Sequence, residues 1–266
     1  MRKSHKLVAA AVLLSGSTFW YLNQENESYD GNDVSDTALT PISDSPPDIG
    51  AITDITEKKQ TFFDYLRPGV AIENARIVKE RKRILQLQQA LDEQSLTYEQ
   101  IETAKRIGRL YNLEPKEVTY EWVEQILQRV DVLPESLVLT QAANESAWGT
   151  SRFAKEANNY FGQWCYSNGC GLVPLQRGEG KTHEVAKFSS PQQSIHGYFM
   201  NVNRNNAYSD LRAIRKQLRE SGASPLTEVS ALAMTNGLLR YSERGEAYVK
   251  DLQAMIRHNE EFWTSK

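Results

Sequence analysis

The chain has 266 residues, 40% of them hydrophobic and 24% charged, with a formal net charge of −3 and a pI near 5.9. That is enough apolar material for one good core with appendages. It leaves no basic field with which to hold a nucleic acid.

Residues 1–22 read as an address. Arg2, Lys3 and Lys6 precede the apolar run Leu7-Val-Ala-Ala-Ala-Val-Leu-Leu14, and apolar character resumes through Phe19-Trp20-Tyr21-Leu22. A basic start and an apolar run suit a secretion signal, but bulky aromatics stand where a small-residue cleavage site belongs. The span of roughly 16 residues falls short of the ~20 of a membrane-crossing helix, and aromatics at its far end suit a membrane interface. An uncleaved inner-membrane anchor is the favoured reading, a cleaved signal the second and a buried helix the third. Either of the first two puts the body of the protein in the periplasm.

Residues 23–57 are rich in Asn, Asp, Ser, Thr and Pro without a sustained period, and read as a disordered tether. Residues 58–118 turn helical. Phe62, Phe63, Tyr65 and Leu66 form an apolar knot before Pro68-Gly69. A long helix then covers about 71–94, with Ile77, Ile84 and Leu91 at heptad spacing. Another covers about 97–111 through Ile101, Ala104, Ile107 and Leu110. The charge run Lys79-Glu-Arg-Lys-Arg83 reads as a solvated face, contact with anionic lipid or glycan being the alternative. Alone these helices would make a thin core, so they are expected to pack on the C-terminal body.

Residues 119–266 form that body. Trp122, Ile126 and Val130 mark an amphipathic helix. The next helix starts at Pro134, a favoured first helical position, carries Leu137, Val138, Ala142 and Ala143, and is suited to end at Gly149. Glu145 lies near its end, in Gln141-Ala-Ala-Asn-Glu-Ser-Ala-Trp-Gly149. Two effects would raise its pKa: the negative end of the helix dipole, and burial near aromatics such as Trp148 and Phe161. A carboxyl held neutral near pH 7 can protonate a glycosidic oxygen. An ordinary surface glutamate near a helix end is the competing reading.

Between Gly162 and Phe188 glycines punctuate short strands, and Thr182-His-Glu-Val-Ala-Lys-Phe188 reads as the returning strand of one β-hairpin lobe. Cys165 and Cys170 bracket Tyr-Ser-Asn-Gly and suit a small disulfide loop in an oxidising compartment, free thiols being second. A metal site lacks ligands, since only His183 of the four histidines lies nearby. Ser190-Pro-Gln-Gln193 then reads as a full capping box opening a helix through Ile195, Tyr198, Phe199 and Val202. Ser224-Pro225 opens one with Leu226, Val229, Leu232 and Ala233. A last helix over about 244–263 is patterned on Tyr248, Leu252, Met255 and Ile256.

The succession of the Gln141–Gly149 segment, Ser151-Arg-Phe-Ala154 and Asn159-Tyr-Phe-Gly162 resembles the signature of glycoside hydrolase family 73, β-N-acetylglucosaminidases that cut peptidoglycan. The similarity covers about residues 120–260. It implies a mainly α (α+β), lysozyme-like fold with one small β lobe, preceded here by the helical N-terminal segment, and it implies that Glu145 is the essential acid. Similar enzymes often place a second acidic residue on the first hairpin strand. The corresponding Gly171-Leu-Val-Pro-Leu-Gln-Arg177 has none. Glu184, on the returning strand, is the first candidate for that role and Glu179 the second, both being solvated otherwise. By alternation Glu184 shares a face with Ala186 and Phe188, and His183 with Val185 and Lys187. Without either acid, the substrate's acetamido group or a single-acid mechanism would serve.

Tyr241 and Tyr248, in Tyr241-Ser-Glu-Arg-Gly-Glu-Ala-Tyr248, match tyrosines that line the family's cleft, although Tyr248 equally suits a plain helix anchor. Trp148, Tyr160 and Trp164 read as cleft wall or core. The implied activity is hydrolysis of the β-1,4 bond after N-acetylglucosamine in peptidoglycan, with no cofactor or metal, by a periplasmic protein tied to the inner membrane. A lytic transglycosylase on the same glycan, or a non-catalytic wall-binding or scaffold protein, keeps the fold and stands as the alternative. Other hydrolase and nucleotide-binding classes lack their motifs: the chain has no G-x-S-x-G, G-x-x-x-x-G-K-[ST] or H-E-x-x-H.

Overall fold

The computed structural model describes residues 41–175 and 182–264. The N-terminal address, Glu179 and the Gln176-Arg177 end of the hairpin lie outside the described residues.

Helix α1 (Ile55–Asp92) runs through Pro68 without a break, where the sequence suggests a stop. The proline removes one backbone donor, yet the helix continues through the buried Leu66, Gly69 and Val70 around it. Gly69 is required by the packing there: a Cβ would lie 2.2 Å from Ile42 Cδ1 and 2.7 Å from Ile195 Cδ1. Residues 41–54 extend this contact instead of continuing the tether. Ile42 and Ile49 are buried, and the Asp54 carboxylate caps α1 by accepting from Glu57 N at 2.8 Å.

Helix α2 (Tyr98–Leu110) opens on a complete capping box of Thr97 and Gln100. Helix α3 (Tyr120–Arg129) follows, then α4 (Glu135–Ser146), whose residues 136–143 are all buried. A helix buried on every side is a central helix. Pro134 is its N-cap, not its first residue. Helices α6 (Pro191–Arg204), α7 (Ser209–Glu220), α8 (Glu228–Met234), α9 (Glu246–His258) and α10 (Glu261–Thr264) complete the helical layers. α1 packs against α3, α4 and α6, while α8 and α9 pack on α4 from elsewhere. One cluster of buried side chains extends from Ile42 to Phe262, so the N-terminal helices and the main body share a core.

The β lobe follows the short helix α5 (Arg152–Ala157). Strands β1 (Trp164–Cys165), β2 (Gly171–Leu172) and β3 (Glu184–Ala186) form an antiparallel sheet in the order β1-β3-β2. The expected hairpin is thus a three-stranded sheet with the returning strand at its centre. The whole is a mainly α, lysozyme-like architecture with one small β lobe. Among the described residues, no helix is long and apolar enough to cross a membrane.

Three local differences from the sequence pattern involve side-chain hydrogen bonds that the pattern does not show. Helix α7 is not among the elements read from the sequence, although Leu211, Ile214 and Leu218 recur at helical spacing, with Arg212 and Arg215 among them. Both are buried: Arg215 donates to the carbonyls of Gln128, Asp131 and Val132, and Arg212 to those of Val202 and Asn205. The 79–83 charge run is not wholly solvated. Glu80 is buried and accepts from the Tyr111 hydroxyl at 2.6 Å, and Arg81 donates to the Leu127 and Val130 carbonyls. At α6 only half the capping box forms: Ser190 Oγ accepts from Gln193 N, but Gln193 Oε1 accepts from Ser189 N instead of Ser190 N.

Candidate active site

Glu145 ends α4 on an unusual turn. Ala147, Trp148 and Gly149 all have positive φ, at 50°, 57° and 73°. Two successive non-glycine residues in the left-handed region are strained. They are held there by the Trp148 N–H, which donates to the Ala143 carbonyl at 2.9 Å, and by Ser146 Oγ, which accepts from Gly149 N at 2.8 Å.

The carboxyl of Glu145 is half-buried and built into a directed chain of hydrogen bonds. The Tyr198 hydroxyl donates to Gln141 Oε1, Gln141 Nε2 donates to the Tyr248 hydroxyl at 2.9 Å, and that hydroxyl donates to Glu145 Oε1 at 2.8 Å. Asn144 Nδ2 donates to the same oxygen at 3.1 Å. Gln141 stands one helical turn before Glu145, so both reach the same side. Its amide fixes the direction of every proton: with its oxygen taken by Tyr198, its N–H must meet Tyr248, whose own proton then points at Glu145.

Around this chain stands an aromatic wall. The Tyr241 and Tyr248 rings are parallel with centroids 5.7 Å apart, and Phe161 stacks on Tyr198 at 4.3 Å. Tyr241 donates to the Phe161 carbonyl at 2.8 Å. Burial pushes the Glu145 carboxyl above the usual carboxylate range; the hydrogen bonds from Tyr248 and Asn144 and the charge of Arg244 pull it back without cancelling that effect. Burial also raises Tyr198, Tyr208, Tyr241 and Tyr248, which keeps them neutral donors.

The second oxygen, Oε2, faces Gly162, where a Cβ would lie 3.2 Å away. The loop carrying this glycine is set by Asn159, which is buried. Its amide donates to the carbonyls of Gln163 and Ala186, and its oxygen accepts from the N–H groups of Phe161 and Gln163. The Asn-Tyr-Phe-Gly segment thus brings a side-chain-free backbone up to the acid.

Comparison with known proteins identifies the family. A family model described as mannosyl-glycoprotein endo-beta-N-acetylglucosaminidase matches residues 120–261. Protein bax of Escherichia coli (strain K12) is 33% identical over 219 residues, 82% of this chain and 76% of its own length. The chain belongs to the glucosaminidase family. No solved structure matches it. Membership makes this a glycosidase-type protein, and the matched span takes in Glu145, Gln141, Tyr198, Tyr241 and Tyr248.

Other residues singled out in the sequence fall elsewhere in this glucosaminidase fold. Trp148 packs against Phe62 and Phe63 of α1, with centroids at 5.6 and 5.3 Å, and Tyr160 is buried beside Phe62 and Tyr65. Both face the N-terminal helix, not the tyrosines at the acid. Glu184 is buried, and its two oxygens accept from Gly169 N at 3.0 Å and Gly171 N at 2.8 Å. It shares its side of the sheet with Ala186 and Phe188, which cluster with Cys165 and Cys170. Those cysteines form a disulfide. Cys165, Cys170 and Glu184 place potential ligand atoms within 4.8 Å of one another, but the two sulfurs are spent on each other. Sequence reasoning missed Gln141, Asn144 and Tyr198 as partners of the acid. For Gln141 the signal was present: a polar residue one turn before Glu145 on an otherwise apolar helix.

Proposed function

We propose that this protein hydrolyses the β-1,4 bond after N-acetylglucosamine in peptidoglycan, with Glu145 as general acid. The observation that carries this reading is the asymmetry of the Glu145 carboxyl. Oε1 accepts from two fixed donors, Tyr248 and Asn144, so the acidic proton belongs on Oε2, beside Gly162. From there it passes to the glycosidic oxygen as the C1–O bond breaks.

Glu184 is assigned to the disulfide loop, because its oxygens are occupied by the Gly169 and Gly171 amides. The partner of Glu145 is then the substrate's own 2-acetamido group. Its oxygen bonds to C1 as the leaving oxygen departs with the proton. Water next attacks C1, returns a proton to Glu145 and restores the acetamido group. Tyr248 holds the acid and, with Tyr241, lines the sugar site. The basic and apolar segment 1–22, together with a disulfide suited to an oxidising compartment, supports a periplasmic location with an inner-membrane anchor.

Incubating the protein and its Glu145→Gln variant with purified peptidoglycan, with mass spectrometry of the released fragments, tests the reading. Reducing-end N-acetylglucosamine from the wild type alone is expected. Anhydromuramyl ends would transfer the protein to the lytic transglycosylases. Sedimentation with the wall without any release would make it a binding protein.

A further inference from the structure

Trp164 departs from the usual behaviour of its residue type. Indoles are mostly well covered, yet this one is 48% exposed. Its neighbours Tyr166, Val173 and Leu175 are exposed as well, so the lobe bears a concentration of apolar side chains that the core does not use. The side chain is also firmly mounted. Trp164 pairs with Val185 across the sheet, which places His183 diagonally opposite on the same face. The two rings stack in parallel, 4.2 Å apart with planes 13° from each other. The next residue, Cys165, is tied to Cys170, and Glu184 holds the amides of the loop between them and just beyond it.

The position matters as much as the exposure. Gly162 abuts the Glu145 carboxyl, and Trp164 lies two residues further on. Two residues span at most about 7 Å along the chain, so the indole is mounted on the stretch of backbone that abuts the acid, within the length of a short oligosaccharide.

We propose that Trp164, backed by His183, is a sugar-stacking subsite that holds the pyranose ring of an N-acetylhexosamine next to the bond being cut. The inference rests on the glycosidase reading above. The electron-rich indole face attracts the slightly positive C–H groups of a pyranose face. His183 covers one face of the indole, and the exposed remainder of Trp164 is the surface the ligand would meet. A ring already fixed by a stack, a sheet and a disulfide loses little freedom on binding, which is where a weak contact gains most. Trp164 touches no reacting atom and acts by binding alone.

The test uses the full chain. Wild type, Trp164→Ala and Trp164→Phe are compared for kcat and KM on purified peptidoglycan strands. Glu145→Gln and Glu145→Gln/Trp164→Ala are titrated with the β-1,4 tetramer of N-acetylglucosamine. The alanine change should raise KM and the tetramer Kd about threefold to tenfold, the range of one aromatic contact. It should leave kcat within about twofold, and phenylalanine should restore most of the loss. Unchanged KM and Kd would overturn the proposal. So would a fall in kcat at constant KM, or a loss in both variants that tracks a lowered melting temperature. If the wild type cleaves nothing, the glycosidase reading fails by itself, and the tetramer titration still decides whether Trp164 is a sugar site.

Discussion

Glu145 and Gly162 meet so closely that the glycine's missing side chain is part of the site: a Cβ would stand 3.2 Å from Oε2, on backbone with φ +62°. The Gly162→Ala variant should therefore lose activity out of proportion to stability. The left-handed backbone costs about 1–2 kcal/mol for a residue with a Cβ, a moderate fall in melting temperature. The methyl group would crowd the oxygen that delivers the proton. Peptidoglycan digestion alongside thermal melting would show whether activity falls further than stability accounts for.

Glu145→Gln should lower the rate by roughly 10²- to 10⁴-fold, the usual worth of a general acid, and should also stabilise the protein near neutral pH. The folded-state pKa of Glu145 is raised above the ordinary 4.5. Its contribution to stability is therefore full below the unfolded value and lost as pH rises through the folded one. Glutamine escapes that loss. The melting temperature of the variant should exceed that of the wild type at pH 7, with the gap closing on acidification below about 4.5. A gap independent of pH would contradict this account.

Tyr248→Phe removes the donor to Glu145 and the acceptor of Gln141 at once. The lost hydrogen bond favoured the ionised carboxylate, so the acid becomes weaker and the alkaline limb of the pH–rate profile moves to higher pH. The rate should drop about tenfold, and the stranded Gln141 amide should lower stability by about 1–3 kcal/mol. A profile that moves to lower pH would refute the assigned direction of the bond.

Glu73 supplies the opposite pH dependence, away from the site. Burial raises its carboxyl, but His196 and Arg76 outweigh burial and hold it at about 2, against an ordinary 4.5. A depressed carboxylate adds stability that is present above the unfolded pKa and lost as pH falls through the folded one. Between about pH 4.5 and 2 the wild type should lose on the order of 3 kcal/mol through this group. Denaturant titrations of Glu73→Gln over the same range should show a flatter decline.

Much of the helical frame was legible because its signals are local. Capping residues such as Thr97 and apolar spacing such as Trp122, Ile126 and Val130 act within one element. The continuity of α1 was not, because Ile42 and Ile195, the residues packed against its Gly69, are distant in sequence. The apolar spacing of α7 is local as well, but the burial of Arg212 and Arg215 is not legible, because the carbonyls they satisfy belong to other parts of the chain. At the site the acid itself could be picked out, since its segment carries the family resemblance. Tyr248 could be picked out with it on the same resemblance, but the chain of bonds from Tyr198 through Gln141 to Tyr248 could not, because Tyr198 and Tyr248 stand 57 and 107 positions from Gln141.

The family model matches residues 120–261, but the core does not divide at residue 120. Phe62 and Phe63 close over Trp148, three positions past Glu145, and Phe63 also meets Phe262 and Trp263 near the other end of the chain. A fragment trimmed to the family boundary would leave the turn behind the acid bare and greasy, and would belong in inclusion bodies. The span that names the family is shorter than the span that shares the core.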